Sequence, residues 1–359
     1  MSKKIIDPVP SGEFKLPTAT PEQQPEAYSH IYNAKGPNAL ATIPTSSRAA
    51  ALVFHPELDK QSLFTSDDVK ITLDDKSLSK YPFGQTVLFF RYVMKKFTEA
   101  TPHDTITSID FSKTATREIA VDPEEFLALR GKEITPDNKK NTAREFKRYI
   151  ETLRRLSLEF WEKNEKTKEK KHWTMNLLSA TTETIIKKSR HHTIVLNEDF
   201  LNYIADKHYI TNFPNAAFRI EVRDYPNAVS LADYLQALYN MNRGRKTQGI
   251  VSLGALLKRL SDVPHPDEIR DDRHLTRRII DPLERDLGHL VDKGVLESWE
   301  WTNKKKRPLT DDQIKKIIEK GPLKVLSECY LSYTMKDYPE DSPAPKSTPK
   351  RCRPNPQKV

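Results

Sequence analysis

The sequence predicts a helix-rich α+β fold in which two tandem domains with small antiparallel hairpins lie between disordered, proline-rich termini. The length of 359 residues suffices for two domains of ordinary size. The 25 prolines against 10 glycines indicate stiff, extended segments around the compact parts. The same order of helices and strands returns in the second half of the chain, as a repeated pattern rather than as repeated residues.

Proline content marks the predicted ends of the folded part. Residues 1–60 carry eight prolines and no sustained hydrophobic period, which predicts an extended or disordered arm. Residues 336–359 carry six more prolines and a basic cluster, which predicts a disordered basic tail. Between these ends we expect one domain over residues 61–206 and a second over residues 207–335.

The first domain is predicted to begin with two helices and short strands. Apolar residues recur at helical spacing from residue 83 to residue 97 and predict an amphipathic helix. Residues 105–109 and 117–121 alternate between apolar and polar side chains, as short strands do. Asp122 supplies an N-cap and Pro123 a first helical residue, so a short second helix begins here.

A longer third helix is predicted over residues 137–156, and its surface outside the apolar stripe is strongly basic. The apolar stripe consists of Ala143, Phe146, Ile150, Leu153 and Leu156. Two pairs of strands are predicted to follow, over residues 158–161, 172–178, 184–186 and 193–196. The highly charged segment at residues 163–171 joins the first pair, and we expect it to form an exposed hairpin.

After an irregular stretch rich in asparagine and proline, the second domain repeats this order. Helices are predicted over residues 231–241, 253–260 and 273–293, with a strand at residues 249–251. Pro282 lies inside the long helix, where it should remove one hydrogen bond and kink the axis. The domain is predicted to end with a strand at residues 295–301, a turn at 304–307, a small helix at 311–320 and a strand at 325–334.

Helix, strand, helix, long basic helix and basic hairpin is the order of a winged helix, whose third helix enters the major groove of DNA. The net charge of +9 also favours a polyanionic partner. We therefore expect DNA to bind along the long helices and hairpins. The expected residues of the first domain are Lys139, Lys140, Arg144, Lys147, Arg148, Arg155, Lys168, Lys170 and Lys171. Those of the second domain are Arg273, His274, Thr276, Arg277, Arg278, Arg285, Lys304, Lys305, Lys306 and Arg307.

The sequence also resembles the plasmid replication initiators, which have two winged-helix domains and bind repeated origin sequences called iterons. The resemblance covers about residues 80–335, and its sharpest part is LTRRIIDPLERDL at residues 275–287, which is similar to the second recognition helix of the family. The segment TAREFKRYIETL at residues 142–153 lies where the first long helix would be. The proline-rich arm and the extra segment between Lys304 and Leu323 depart from the pattern of the family.

The resemblance implies a protein that binds origin repeats in double-stranded DNA, helps to open an adjacent AT-rich stretch and recruits host replication proteins. It also implies repression of the protein's own gene and a homodimer formed through the first domain. An initiator of this kind breaks no bond itself, so the resemblance implies neither an enzyme nor a cofactor.

The sequence lacks the motifs that are typical of several other classes of protein. The two cysteines, Cys329 and Cys352, are too few for a disulfide framework or a cysteine-rich zinc site. The sequence contains neither the glycine-rich motif that binds nucleotide phosphates nor the His-apolar-His pair of rolling-circle initiators. It has no apolar run that could span a bilayer and no signal-peptide core, so we expect a cytoplasmic protein associated with DNA and not with membranes.

Three alternatives stay open at this point. A transcriptional regulator with two winged helices and no replication role has the same pattern. A scaffold that binds protein partners through its proline-rich arm would carry the basic faces only as solvated surface. A nuclease with an unrecognised site would nick supercoiled DNA in magnesium.

Overall fold

A computed structural model of the chain has mixed helix and sheet, which confirms the α+β class. It describes residues 27–33, 61–65, 69–73, 83–163, 170–186, 189–207, 209–242, 249–260, 263–264, 266, 269 and 274–337. The helices in this part of the chain are α1 Phe83–Ala100, α2 Pro123–Leu129, α3 Pro136–Arg154, α4 Glu198–Lys207, α5 Ala228–Asn242, α6 Leu253–Leu257, α7 Asp281–Asp292, α8 Asp311–Glu319 and α9 Pro322–Glu328. The strands are β1 Tyr28–Asn33, β2 Gln61–Thr65, β3 Val69–Leu73, β4 Glu118–Val121, β5 Leu156–Lys163, β6 Lys170–Asn176, β7 Leu178–Ile186, β8 Ser189–Leu196, β9 Tyr209–Pro214, β10 Gly249–Ser252, β11 Leu296–Thr302 and β12 Tyr330–Met335.

Two units of the chain share one topology. The N-terminal unit consists of α1, β4, α2, α3, β7 and β8, and the C-terminal unit consists of α5, β10, α6, α7, β11 and β12. In each unit the short first strand pairs antiparallel with the last strand, which pairs with the strand before it. The sheet orders are therefore β4-β8-β7 and β10-β12-β11.

Local signals in the sequence set the helix boundaries as predicted. The Asp122 side chain accepts a hydrogen bond from the Glu124 backbone N–H at 2.8 Å, and Pro123 begins α2. Thr135 caps α3 in the same way through the backbone N–H of Asn138. The predicted apolar stripe of α3 faces the core, since Phe146, Ile150 and Leu153 are buried, and Leu156 is buried at the start of β5.

The hairpin that follows α3 belongs to a separate sheet from β4. Strand β5 pairs with β3 and β6, giving a four-stranded sheet in the order β2-β3-β5-β6, so the hairpin does not join β4. The hairpin that corresponds to β11–β12 is β7–β8, because β8 pairs with β4. The charge of a segment does not reveal which strand its neighbours pair with.

Part of the predicted arm is a structural element. Strand β1 pairs antiparallel with β9, and Ile31 and Tyr32 are buried. The Tyr28 hydroxyl donates a hydrogen bond to the Lys336 backbone carbonyl, at 2.6 Å, beside the end of β12. The arm is predicted to be extended or disordered, and residues 28–33 are an extended strand, while residues 1–26, residues 34–60 and the tail from residue 338 lie outside the described residues.

Three further segments differ from their predictions. Residues 105–109 contain a 3-10 turn, Ile106–Ser108, in place of a strand. The stretch expected to be irregular between the two domains contains α4 and β9. The predicted last strand starts as α9, because Pro322 favours the first position of a helix and Gly321 before it has a φ of 138°.

A buried ion pair joins the two units. Arg91 of α1 and Asp233 of α5 are both buried, and the Arg91 Nε donates to Asp233 Oδ2 at 3.1 Å. The Arg91 guanidinium also lies 6.0 Å from the ring centre of Phe213 in β9. Burial raises the pKa of the Asp233 carboxyl, and the charge of Arg91 opposes that rise. One continuous cluster of buried apolar side chains runs through both units, so the domain boundary at residues 206 and 207 stays a prediction.

We expect Asp233→Asn to lower the free energy of unfolding by about 3–5 kcal/mol, because the buried charge of Arg91 then has no counterion. Replacing both residues by leucine should cost less than the single change. Urea unfolding measures both effects. The matched control is Glu99→Gln, which breaks a more exposed pair with Lys95 and should cost less than about 1 kcal/mol. Equal losses for Asp233→Asn and the control would contradict a structural role for the buried pair.

Candidate nucleic-acid interface

The outward face of α3 carries three cations at helical spacing. Lys140, Arg144 and Lys147 follow one another at intervals of four and three residues, and all three side chains are exposed. None of them forms an ion pair or a side-chain hydrogen bond within the described part of the chain. Their positive charge is therefore not neutralised by that part of the protein.

Other predicted cations near α3 are engaged inside the fold. Lys139 Nζ lies 2.5 Å from Glu124 Oε1, and Arg155 Nε lies 2.8 Å from Glu151 Oε1. The Arg148 guanidinium lies 5.3 Å from the ring centre of Tyr149. The structure thus separates the predicted set on α3 into three residues that face solvent without a partner and three that contact neighbours.

Two of the predicted lysines of the first hairpin, Lys170 and Lys171, lie on the four-stranded sheet. Lys171 Nζ lies 3.7 Å from the ring centre of Trp173, so it packs on its own strand β6. Lys170 begins β6, and Lys168 lies outside the described residues. The hairpin that carries them is not the one that pairs with β4.

The long helix of the C-terminal unit starts with a widened turn. Thr276–Ile280 is π-helical, and the Asp281 backbone N–H donates to the Thr276 carbonyl, five residues earlier. Pro282 has no N–H to donate, and it lies in the first turn of α7. The irregularity predicted at Pro282 therefore takes the form of one π-helical turn directly before α7.

The exposed and buried sides of this helix are sharply divided. Leu275, Ile279, Leu283, Leu287 and Leu290 are buried as predicted. The exposed side chains along the opposite face are His274, Arg277, Arg278, Asp281 and Arg285, while Thr276 is half-buried. Arg277 makes no ion pair or side-chain hydrogen bond with any described residue, and Arg273 lies outside that part of the chain.

Polar contacts fix the back of α7 to the segment that precedes α5. The fully buried Asp286 carboxylate accepts hydrogen bonds from the backbone N–H and the side-chain amide of Asn227, at 3.0 and 2.9 Å. The His289 ring stacks on Tyr225 with 3.6 Å between ring centres. His289 Nε2 accepts a hydrogen bond from the Glu221 backbone N–H at 3.2 Å. These contacts hold α7 in one rotation about its axis, with the arginines outward.

A tight turn after β11 presents four more cations. The Asn303 side-chain oxygen accepts hydrogen bonds from the backbone N–H groups of Lys305 and Arg307, at 2.8 and 3.1 Å. Lys306 has a φ of 60°, in the left-handed region that closes such turns. The side chains of Lys304, Lys305, Lys306 and Arg307 are all exposed. Trp301 at the base of the turn donates from Nε1 to Glu284 Oε1 of α7 at 2.8 Å, which ties the turn to the helix.

The sequence did not identify β7–β8 as the hairpin that pairs with β4. Its strands pair up to Ile186 and Ser189, so the sequence between them is only Lys187-Lys188. The second half of the chain indicated this arrangement, because the basic turn at residues 304–307 also lies between the last two strands of its unit. Lys187 and Lys188 themselves lie outside the described residues.

Comparisons with known proteins give little further information. No known protein family and no curated protein matches the sequence. Among solved structures, the chain is similar to selenomethionine derivatives of domains 2 and 3 of RctB, with a TM-score of 0.36 and 11% identity, over 82% of this chain and 100% of that one. A second structure, RctB residues 155–483, gives a TM-score of 0.37 and 10% identity, over 81% and 97%. A likeness of this extent assigns no function.

The described residues contain neither a membrane-spanning helix nor a cluster of metal-binding side chains. No described helix combines the length and the apolar character that crossing a membrane requires. Within the same residues, no group of three or more histidine, cysteine or acidic side chains is arranged to hold a metal ion.

Protonation of His289 is expected to make the stability of the protein depend on pH. Burial lowers the pKa of His289 below its ordinary value of about 6.5, and the charge of Lys293 lowers it further against the opposing charges of Glu221, Asp292 and Asp224. The unfolded chain therefore binds the proton first as the pH falls. The contribution of neutral His289 to the free energy of unfolding is therefore complete above about pH 6.5 and decreases below that pH.

We expect the free energy of unfolding to fall more steeply between about pH 6.5 and pH 5 in the unaltered protein than in His289→Gln. Glutamine still offers an oxygen to the Glu221 N–H but does not titrate. Urea unfolding at a series of pH values measures the difference. Parallel pH profiles for the two proteins would rule out His289 as the titrating group.

Proposed function

We propose that this chain is a non-enzymatic, sequence-specific double-stranded DNA-binding protein that initiates plasmid replication, with one winged helix in each unit. DNA binding is supported by the two long helices, whose outward faces bear cations that have no acidic partner among the described residues. Lys140, Arg144 and Lys147 are these residues on α3, and Arg277 is the corresponding one before α7. If this face contacted only solvent, acidic neighbours that neutralise its cations would stabilise the protein, as Glu124 does for Lys139.

The topology supports the winged-helix assignment. In a winged helix the third helix enters the major groove and a hairpin contacts the flanking backbone. The third helix of the N-terminal unit, α3, bears cations on its outward face, and in the C-terminal unit Arg277 and Arg278 lie in the π-helical turn that leads into α7. The last two strands of the N-terminal unit flank Lys187-Lys188 in the sequence, and those of the C-terminal unit are joined by a segment that starts with the basic turn at residues 304–307 and continues through α8 and α9. We therefore assign β7–β8 and β11–β12 as the wings, and the β5–β6 hairpin to neither.

Chemistry divides the proposed contacts into two kinds. Arginine reads guanine through two hydrogen bonds to O6 and N7, so Arg277 and Arg144 are the proposed base-reading residues. Lysine acts as a point charge and suits phosphates, so Lys140 and Lys147 are proposed to contact the backbone. The turn at residues 304–307 has no helix to insert into a groove, and we assign it to phosphates as well.

Replacing Lys304, Lys305 and Lys306 by alanine should weaken binding to every duplex and reduce the slope of log K against log salt by about 2–3. Fluorescence anisotropy with a random duplex over a range of salt measures this slope. The matched control removes the same charge from exposed positions on α8 and just after it, by replacing Lys315, Lys316 and Lys320 by alanine. An equal change in both triple variants would mean that only net charge matters and that the turn does not contact DNA.

The replication role comes from the resemblance of residues 275–287 to the second recognition helix of plasmid initiators. We propose that the protein binds origin repeats, promotes opening of the origin and represses its own gene. Its proposed partners are host replication proteins and a second copy of the chain bound through the first domain. No cofactor is proposed, and the protein is proposed to act in the cytoplasm.

Footprinting of fragments that span the protein's own gene and its upstream region tests this role. An initiator should protect several evenly spaced direct repeats. Protection of one inverted repeat at a promoter would indicate a winged-helix transcriptional regulator instead. Weak, salt-insensitive binding without a footprint would indicate a protein-interaction scaffold, and nicking of supercoiled DNA in magnesium would indicate a nuclease.

A further inference from the structure

An acidic side chain lies between the exposed arginines of the continuous helix that the π-helical turn and α7 form. Asp281 is exposed, and it stands four residues after Arg277 and four residues before Arg285. Its carboxylate forms no ion pair or side-chain hydrogen bond with any described residue. Arg285 turns away from it, because its Nε lies 3.3 Å from Asp286 Oδ1 and its guanidinium lies 5.9 Å from the ring centre of Tyr225.

The neighbouring carboxylates of the same helix have structural partners. Glu284 accepts a hydrogen bond from Trp301 Nε1, and Asp286 accepts two from Asn227. Asp281 lies in the first turn of α7, directly after the π-helical turn, so it is not at a free helix end. Within the described part of the chain, no group donates a hydrogen bond to its carboxylate.

A carboxylate at this position has a defined chemistry toward DNA. It repels phosphates, so it weakens binding to duplexes of arbitrary sequence. Among base edges in the major groove, the N4 amino group of cytosine is the donor that aspartate pairs with, whereas guanine offers only acceptors. A face with Arg277 and Asp281 four residues apart therefore favours guanine at one position and cytosine at another.

We propose that Asp281 is a specificity-determining residue of the DNA interface, which selects a cytosine in the major groove and disfavours DNA that lacks it. This inference rests on the proposed function, since it assigns a role within the same interface. Four residues of helix rise about 6 Å, and base pairs are spaced about 3.4 Å apart. The cytosine read by Asp281 and the guanine read by Arg277 are thus about two base pairs apart.

The test selects duplexes from a randomised double-stranded library with the full chain and with Asp281→Asn, Asp281→Ala and Arg277→Ala. Asp292→Asn is the matched control, because it removes an exposed carboxylate from the last turn of the same helix. The enriched sequences are compared, and the affinity of each protein for a random duplex is measured by anisotropy. Thermal unfolding of each variant, compared with that of the unaltered chain, verifies that it is folded.

The unaltered chain and Asp292→Asn should enrich the same motif. Both Asp281 variants should lose the preference for cytosine at one position by about tenfold and bind random duplex severalfold more tightly. Arg277→Ala should lose a guanine about two base pairs away. If the unaltered chain enriches a motif and the Asp281 variants enrich it unchanged, only the role of Asp281 fails. If the unaltered chain enriches no motif, the proposed function fails and this inference fails with it.

Discussion

The ion pair between Arg91 and Asp233 is the contact on which the relation between the two units depends. A guanidinium in an apolar core is tolerated only beside its counterion, so α1 and α5 have to meet at this point for either unit to bury its charge. Phe213 of β9 lies against the same guanidinium, which brings the pairing of β1 and β9 into the junction. An apolar contact would permit sliding, whereas this pair specifies one register between the two helices.

The proposed DNA-binding helix α7 uses its charged residues in two different ways. Asp286 and His289 are buried and bind the segment before α5, while the arginines and Asp281 face outward. Polar anchors of this kind fix the rotation of a helix more strictly than leucines do, because a hydrogen bond is lost when its geometry changes by a small angle. A fixed rotation is what a base-reading surface needs, since side chains must reach base edges within a fraction of an ångström.

Features with a local cause could be predicted from the sequence. The period of the apolar residues located α1, α3 and the helix around Pro282, and Asp122 and Pro123 located the start of α2. Strand pairing could not be predicted, because β1 and β9 are far apart in the chain and the sequence does not record which hairpin joins β4. The candidate site was predicted as sets of cations. Only the structure distinguishes Lys140, which faces solvent, from Lys139, whose charge is taken by Glu124.

The pairing of β1 with β9 also constrains how the chain is made. Ser29 and Asn215, whose side chains form a hydrogen bond, are 186 positions apart, so β1 leaves the ribosome long before its partner β9 has been synthesised. Until then its apolar residues Ile31 and Tyr32 form an open edge of the kind that promotes aggregation. The prolines on both sides of this strand disfavour pairing with foreign strands, which gives the unusual composition of the first 60 residues a use during synthesis.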